Sequence, residues 1–362
     1  MTADDATPSR VPVRAELDDV VPYGAPQADV AVRLNTNETA EPPPREFLAA
    51  AAARIEALDL HRYPDREHVA LRAALARRHN CDVDQVWAAN GSNEILLELL
   101  QVYGGPGRQA VVFRPSYSMY PELCRTAMTP VIEIDLDDDF AYSADTIDAA
   151  CAAQPDVIIL ASPNNPVGTV VDASTVRALH ERTAALIVVD EAYIDFAPER
   201  SMSPLLETLP RLVLVRTFSK AFRLAGARLG YLVARPWVVD DVQKVRLPYH
   251  LSAVTQTIGE LALANESSFL AHRAEVAAER DCLASALAQL PDVEVFASAA
   301  NFLLVRTGRD DVFHELFARG VLVRDFATRP RLTGCIRVTI GTPAENAAFL
   351  AAFREILGAP TT

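Results

Sequence analysis

Lysine occurs only twice in this 362-residue chain, at Lys220 and Lys244. Any chemistry that needs an amine nucleophile therefore has two side-chain candidates. Lys220 follows the apolar run Leu212–Val215 in Arg216-Thr217-Phe218-Ser219-Lys220. An amine at the end of a buried strand is partly desolvated, which lowers its pKa and suits it to Schiff-base formation. A surface lysine lying along apolar surface would show the same local sequence. Asp190 ends the apolar run Ala185–Val189. A carboxylate there is costly unless a cation meets it; a pyridinium nitrogen would be such a partner, and an arginine would be another. Ser162-Pro163-Asn164-Asn165-Pro166-Val167-Gly168 follows the run Val157–Ala161 and reads either as a rigid loop aiming amides at a ligand or as an ordinary turn.

Asn90-Gly91-Ser92-Asn93-Glu94 joins an apolar run to a helical stretch over Asn93–Tyr103. Ser92 is expected as the N-cap, and the first-turn N–H groups beside Gly91 form an anion site. Ser219 and Arg228 would add a hydroxyl and a bidentate donor. Tyr117 follows the run Ala110–Phe113 and could stack on a flat ligand or simply pack. Arg324 and Arg337 flank late apolar runs and are suited, as a pair, to gripping a carboxylate or phosphate. Singly, each has a bland explanation. Their shared position, just past successive apolar runs, is what argues for a site.

These residues need a scaffold. Apolar runs at Val86–Ala89, Ala110–Phe113, Val131–Ile134, Val157–Ala161, Leu186–Val189, Leu212–Arg216 and Leu229–Val233 alternate with helical stretches that include Ala173–Thr183 and Asp240–Val245. Such alternation predicts an α/β fold, with a mostly parallel central sheet covered by helices on both faces. Ligands in these sheets sit beyond the carboxyl ends of the strands. After Leu247-Pro248 the pattern changes to a long helical region over about 252–290, then strand-like runs at Val293–Phe296, Phe302–Val305, Val321–Val323 and Ile336–Ile340. A final helix is expected from Pro343 to Leu357, stopped by Gly358. The expected division is an N-terminal arm over 1–40 packing with the small domain, a large domain over 41–247 and a small α+β domain over 248–362.

Composition narrows the partners. The formal net charge is −14, a field that repels nucleic acid and anionic membrane. No apolar run approaches the roughly 20 residues of a spanning helix. The first nineteen residues lack a signal-peptide profile. Five scattered cysteines without a CxxC pair fit reduced thiols in a cytoplasmic protein. No metal is expected.

The ordered set Ser162-Pro163-Asn164-Asn165-Pro166, Val189-Asp190-Glu191-Ala192-Tyr193 and Ser219-Lys220-Ala221-Phe222, with Ala225-Gly226 and Arg228-Leu229-Gly230, resembles the fold-type I aminotransferases that use pyridoxal 5'-phosphate. The similarity runs from about Val21 to Leu357. Within that superfamily the chain is similar to the histidinol-phosphate aminotransferase family through Pro22-Tyr23-Gly24-Ala25-Pro26, Arg33-Leu34-Asn35-Thr36-Asn37-Glu38, His61-Arg62-Tyr63-Pro64-Asp65-Arg66 and Arg246-Leu247-Pro248-Tyr249-His250. The resemblance implies transamination between L-histidinol phosphate and 2-oxoglutarate, giving imidazole-acetol phosphate and L-glutamate. It also implies roles. Lys220 would carry the cofactor and move protons, Asp190 would pair with the ring nitrogen, and Asn165 and Tyr193 would bond the ring oxygen. Tyr117 would stack on the ring, while Ser92, Asn93, Ser219 and Arg228 would hold its phosphate. Tyr63 would reach that phosphate across a homodimer interface. Arg337 would bind the α-carboxylate of glutamate, with Tyr23, Asn37, Tyr249 and Arg324 around the phosphorylated substrate. Arg223 stands where that family usually has Gly or Ala and is expected to alter the cavity wall. The alternatives are an aminotransferase for aromatic amino acids or a secondary-metabolism substrate, a decarboxylase on the same fold, and a non-catalytic cofactor-binding module.

Overall fold

The computed structural model describes residues 11–18, 20–22 and 24–358. Its strands, in chain order, are β1 (Val32–Arg33), β2 (Val86–Ala89), β3 (Ala110–Arg114), β4 (Val131–Asp135), β5 (Val157–Ala161), β6 (Leu186–Asp190), β7 (Leu212–Thr217), β8 (Gly230–Val233), β9 (Val293–Val295), β10 (Phe302–Thr307), β11 (Val321–Leu322), β12 (Arg324–Asp325) and β13 (Cys335–Thr339). The large sheet has the order β2-β8-β7-β6-β5-β3-β4. Its pairings are parallel from β7 to β4, and β8 runs antiparallel to both neighbours. The fold is α/β, as the alternation of runs predicts.

The strands are apolar on both sides because both sides are covered. Val112, Ile159, Val188, Val213 and Leu232 pack toward the helices Ser92–Tyr103, Met119–Thr126 and Pro236–Val242. Their neighbours Val111, Ile158, Ile187 and Leu212 pack toward Ala144–Ala152 and Ala173–Arg182. The outer strand β4 is only partly buried and carries Glu133 and Asp135, charges that discourage edge pairing.

A second sheet, β12-β13-β10-β9, is antiparallel throughout. Alternation along β13 decides its chemistry. Ile336 and Val338 enter a core with Leu283, Phe349 and Phe353, which puts Arg337 on the opposite face. The helix Pro343–Ile356 opens on a Thr342/Glu345 capping box. Gly358 follows with φ 67°. The N-terminal segment joins this unit: β1 pairs in parallel with β11, and the Leu34 carbonyl accepts from Thr339 N at 2.9 Å.

Three local expectations need correction. The helical region over 252–290 is three helices, Ala253–Ala264, Glu266–Leu270 and Arg273–Leu287. Asn265 breaks it, its side chain donating back to the Leu261 carbonyl. The turn delivers Phe269 and Leu270 to the core beside Phe47 and Phe222. The helical stretch expected at Asp240–Val245 starts earlier, with Pro236 in its first turn, and ends at Val242. Ser92 is not the N-cap. Gly91 occupies that position at φ 88°, and Ser92 begins the helix. Asn90 closes the turn, its backbone N–H and side-chain amide both donating to Glu94.

Candidate active site

Register brings the strand ends together. β2, β3, β5, β6 and β7 point the same way, and antiparallel β8 begins where they end, so Ala89 pairs with Gly230 and Thr217 with Gly230. The residues after Ala89, Arg114, Ala161, Asp190 and Thr217 therefore meet at one edge. A cleft of about 370 Å³ lies there. Ser92, Asn93, Tyr117, Asn165, Asp190, Tyr193, Ser219, Lys220 and Arg228 line it from the large sheet, and Arg337 lines it from the small one.

The Lys220 Nζ donates to the Thr36 carbonyl at 2.9 Å and lies 5.6 Å from the Tyr193 ring centroid. Burial, then the charges of Arg337 and Arg228, lower its pKa to about 7, with Glu38 and Asp190 opposing. A substantial fraction of this amine is thus uncharged at neutral pH. Asp190 ends β6 on the cleft floor. Its carboxylate accepts from the Tyr120 hydroxyl at 2.9 Å and from Ala192 N at 3.1 Å. Burial nevertheless raises its pKa to about 6, helped by neighbouring Glu191. Burial disfavours the charged form of this carboxylate, the Lys220 charge opposes that only weakly, and a cation brought against it would restore the charge.

Tyr120 is a functional residue the sequence reading missed. The available signal was its spacing three residues from Tyr117: a turn, closed by Tyr120 N donating to the Tyr117 carbonyl at 3.1 Å, brings the two rings edge-on at 5.5 Å. Tyr120→Phe is expected to raise the Asp190 pKa further, because a donor to the charged form is lost. The acid limb of the pH–activity profile should move to higher pH and turnover at neutral pH should fall about 10-fold. An unchanged acid limb would refute this role.

At the other end of the cleft the backbone itself forms an anion cup. A Cβ on Gly230 would stand 2.3 Å from Ser92 N, so only glycine lets β8 pack against this helix start. The Arg228 guanidinium lies against Gly91 and donates to Ser219 Oγ at 3.3 Å. Ser219 Oγ also accepts from the Thr217 hydroxyl at 3.0 Å. Asn93 donates to the Tyr117 hydroxyl at 3.4 Å.

Residues from the arm and the small sheet close the cleft. Arg337 donates to Asn165 Oδ1 at 2.5 Å and to the Asn35 carbonyl at 2.6 Å. Asn37 is buried and donates to the Tyr193 hydroxyl at 3.0 Å. It stands behind Tyr193 and does not line the cleft. Arg324 lines a small adjoining recess with Tyr117, Asn165 and Arg337 and donates to the Gly24 carbonyl at 3.3 Å. Tyr63 and Tyr249 are outside the cleft on the protein surface, stacked at 4.4 Å with Tyr63 80% exposed. Tyr23 lies outside the described residues. Arg223 turns away from the cleft. It takes a left-handed φ of 55°, which favours glycine, and engages Glu41 at 3.1 Å and His272 at 3.2 Å. Its expected effect on the cavity wall is corrected accordingly.

Beneath Asp190 lies an ion-pair network absent from the sequence reading. Arg216 pairs with Glu191 at 2.7 Å, and Arg78 pairs with Asp195 at 2.6 Å and Glu266 at 2.7 Å. The Glu191 side chain is fully buried, so removing Arg216 would strand its charge. Among the described residues no cluster of His, Cys, Asp or Glu is placed to hold a metal ion, and no helix is long and apolar enough to cross a membrane.

The donor set fits one type of cofactor. It offers an amine for a carbonyl, a cup for a phosphate and a buried carboxylate for a protonated ring nitrogen. Tyr117 supplies an aromatic face. A phosphorylated pyridine aldehyde meets all four.

Comparison with known proteins agrees with that chemistry. The model of the family described as aminotransferase class I and II matches residues 29–353. Histidinol-phosphate aminotransferase of Thermobifida fusca is 46% identical, over 96% of this chain and 95% of the relative. That of Streptomyces avermitilis is 47% identical, over 96% of both chains. Among solved structures, histidinol-phosphate aminotransferase from Sinorhizobium meliloti in complex with pyridoxal-5'-phosphate superimposes with a TM-score of 0.83 at 26% identity, covering 91% of each chain. With strand-end chemistry, cleft and near-full-length similarity in agreement, this chain belongs to the class I and II aminotransferases.

Proposed function

We propose that this chain transfers the amino group of L-histidinol phosphate to 2-oxoglutarate, giving imidazole-acetol phosphate and L-glutamate in histidine biosynthesis. Pyridoxal 5'-phosphate is the cofactor, and the cytoplasm is the setting. The observation that carries this reading is the placement of Lys220 between an anion cup on one sheet and Arg337 from the other. The names and near-full-length identity of the relatives support the choice of substrate.

When bound, the cofactor supplies an electron sink for the carbon that carries the amino group. The chain's own residues do the rest. Asp190 holds a proton on the ring nitrogen. Tyr120 keeps that carboxylate ionised. Lys220 Nζ, uncharged in part at neutral pH, takes the proton from the substrate carbon and returns it. The Thr36 carbonyl aims Nζ. Tyr193 and Asn165 hold the ring oxygen, with Asn37 fixing the Tyr193 hydroxyl. Arg337 binds the carboxylate of 2-oxoglutarate, and Arg324 adds a second donor for the phosphate of the other substrate. One cleft thus serves two different anions in turn.

The exposed Tyr63–Tyr249 stack supports a homodimer in which Tyr63 reaches the partner's phosphate cup. A single 39-kDa species in sedimentation at micromolar concentration would overturn this. The division into an arm over 1–40, a large domain over 41–247 and a small domain over 248–362 belongs to the same proposal. The arm pairing of β1 with β11 supports it.

The substrate test is a half-reaction without keto acid. Histidinol phosphate and phenylalanine are added separately to the loaded protein, and the cofactor absorbance band is followed. Histidinol phosphate is expected to convert the band at far lower concentration. If phenylalanine wins, the substrate is an aromatic amino acid instead.

A further inference from the structure

The cleft described above is rich in cations and aromatic rings, a lining that would accept many phosphorylated or carboxylated aromatic compounds. Two carboxylates break that pattern, Asp190 and Glu38. Asp190 is spoken for on the floor by Tyr120 and Ala192. Glu38 is different. It is exposed, it lines the cleft from the arm side, and it is close enough to Lys220 to raise that amine's pKa. Its carboxylate accepts from the Thr36 hydroxyl at 2.9 Å, and Thr36 is the residue whose carbonyl aims Lys220 Nζ. Among the described residues it forms no ion pair with an arginine or lysine. The Thr36 bond uses one oxygen of the carboxylate, Oε2, and a carboxylate has about four acceptor sites.

Anchoring of Glu38 is firm. Asn37, next in sequence, is buried and takes three hydrogen bonds with Tyr193 and Thr339. On the other side the Thr39 hydroxyl donates to the Lys220 carbonyl at 2.8 Å. The backbone carrying Glu38 is therefore tied to both sheets, and the Thr36 hydroxyl holds the acid itself.

We propose that Glu38 is the specificity-determining acid that accepts the ring N–H of a nitrogen heterocycle, an imidazole, on the amino donor. This rests on the histidinol-phosphate reading and adds the group that separates a basic ring from an apolar one. A substrate held by its phosphate at Arg324 and Arg337, with its amine at Lys220, leaves its ring to be sorted by what remains of the lining. A ring with an N–H finds an acceptor in Glu38. A phenyl ring leaves that carboxylate facing an apolar edge, a desolvation cost without return.

The test compares two donors of the same amino-alcohol phosphate skeleton, one with imidazole and one with phenyl, on wild type, Glu38→Gln and Glu38→Ala. KM and kcat are measured between pH 6 and 8.5. Calorimetric Kd values are taken with the loaded Lys220→Ala variant, alone and combined with Glu38→Gln, where no turnover intervenes. Glu38→Gln is expected to weaken the imidazole donor about 10- to 100-fold, in KM and Kd rather than kcat, and to bind the phenyl donor as well as wild type or a few-fold better. The wild-type preference for imidazole should grow as pH falls toward the ring's own pKa of about 6.5, and Glu38→Gln should flatten that trend. Equal losses for both donors would overturn the proposal and make Glu38 a modulator of Lys220 only. No loss for either would overturn it as well. Wild type showing no preference for imidazole would instead overturn the substrate reading itself.

Discussion

Replacing Lys220 by alanine is expected to reduce transamination by ~10⁴-fold or more while leaving the fold intact. The size of the effect follows from arithmetic on amines. The second lysine, Lys244, is exposed on a helix end and paired with Asp241, so no neighbouring amine can take over. In the proposed mechanism Lys220 also does two jobs, carrying the cofactor and moving the proton, and both would vanish together. Stability should not suffer from the loss of charge. The amine's pKa is lowered from 10.5 to about 7 by burial, so the fold favours the neutral form. That cost is absent above pH 10.5 and grows as pH falls toward 7. The variant escapes it, and its thermal midpoint at pH 7 should match or exceed that of wild type without cofactor. Stopped assays with added small primary amines provide the check, since part of the proton transfer should return. Turnover by Lys220→Ala at even a tenth of the wild-type rate would remove the lysine from the mechanism.

Asp190→Asn is expected to lower kcat ~10³-fold and to loosen the cofactor. Asparagine keeps the shape and can still meet Tyr120, so packing is spared and the charge alone is lost. Two thermal measurements with opposite signs expose the reason. Without cofactor, the carboxylate's pKa is raised from 3.8 to about 6. A raised carboxylate pKa means the fold prefers the protonated acid, so its stability is full below pH 3.8 and declines as pH rises through 6. Asp190→Asn removes that penalty and should stabilise the cofactor-free protein at pH 8 by up to roughly 3 kcal/mol. With cofactor bound, a protonated ring nitrogen would compensate the carboxylate in wild type, and the variant should be the less stable of the two. Equal stability of variant and wild type in both states would mean that no charge is being compensated at this position.

The parts of the site that could be read from the sequence are those fixed by a single strand. Lys220, Asp190 and Asn165 follow unbroken apolar runs, and in a parallel sheet the end of such a run is the edge where ligands bind. The bonds between elements could not be read this way. Asn37 meets Tyr193 across 156 positions of sequence, and Arg337 meets Asn165 across 172. Neither residue type nor spacing encodes such a meeting. Arg216 and Glu191 are legible only as charges next to strands, and their pairing depends on the β6–β7 register. The N-cap assignment failed for a local reason. Serine is the commoner cap, but here the residue one position earlier takes φ 88° with the Arg228 guanidinium packed against it, and glycine meets both demands. The helical region expected over 252–290 is present, but its division at Asn265 was not legible, because one weak helix former in an otherwise helix-rich composition does not reveal where Phe269 must go.

The strand β1 and the residues after it have a temporal consequence. Asn37 bonds Thr339 across 302 residues, and the Asn35 carbonyl meets Arg337 across the same interval. During synthesis the large sheet, complete by Val233, can form while the rest of the chain is still being made. The wall contributed by the arm cannot be set until β13 has left the ribosome. The arm must wait, unpaired, for most of translation. The aperture of the site is therefore a late product of folding, and long-range closure of this kind is slow.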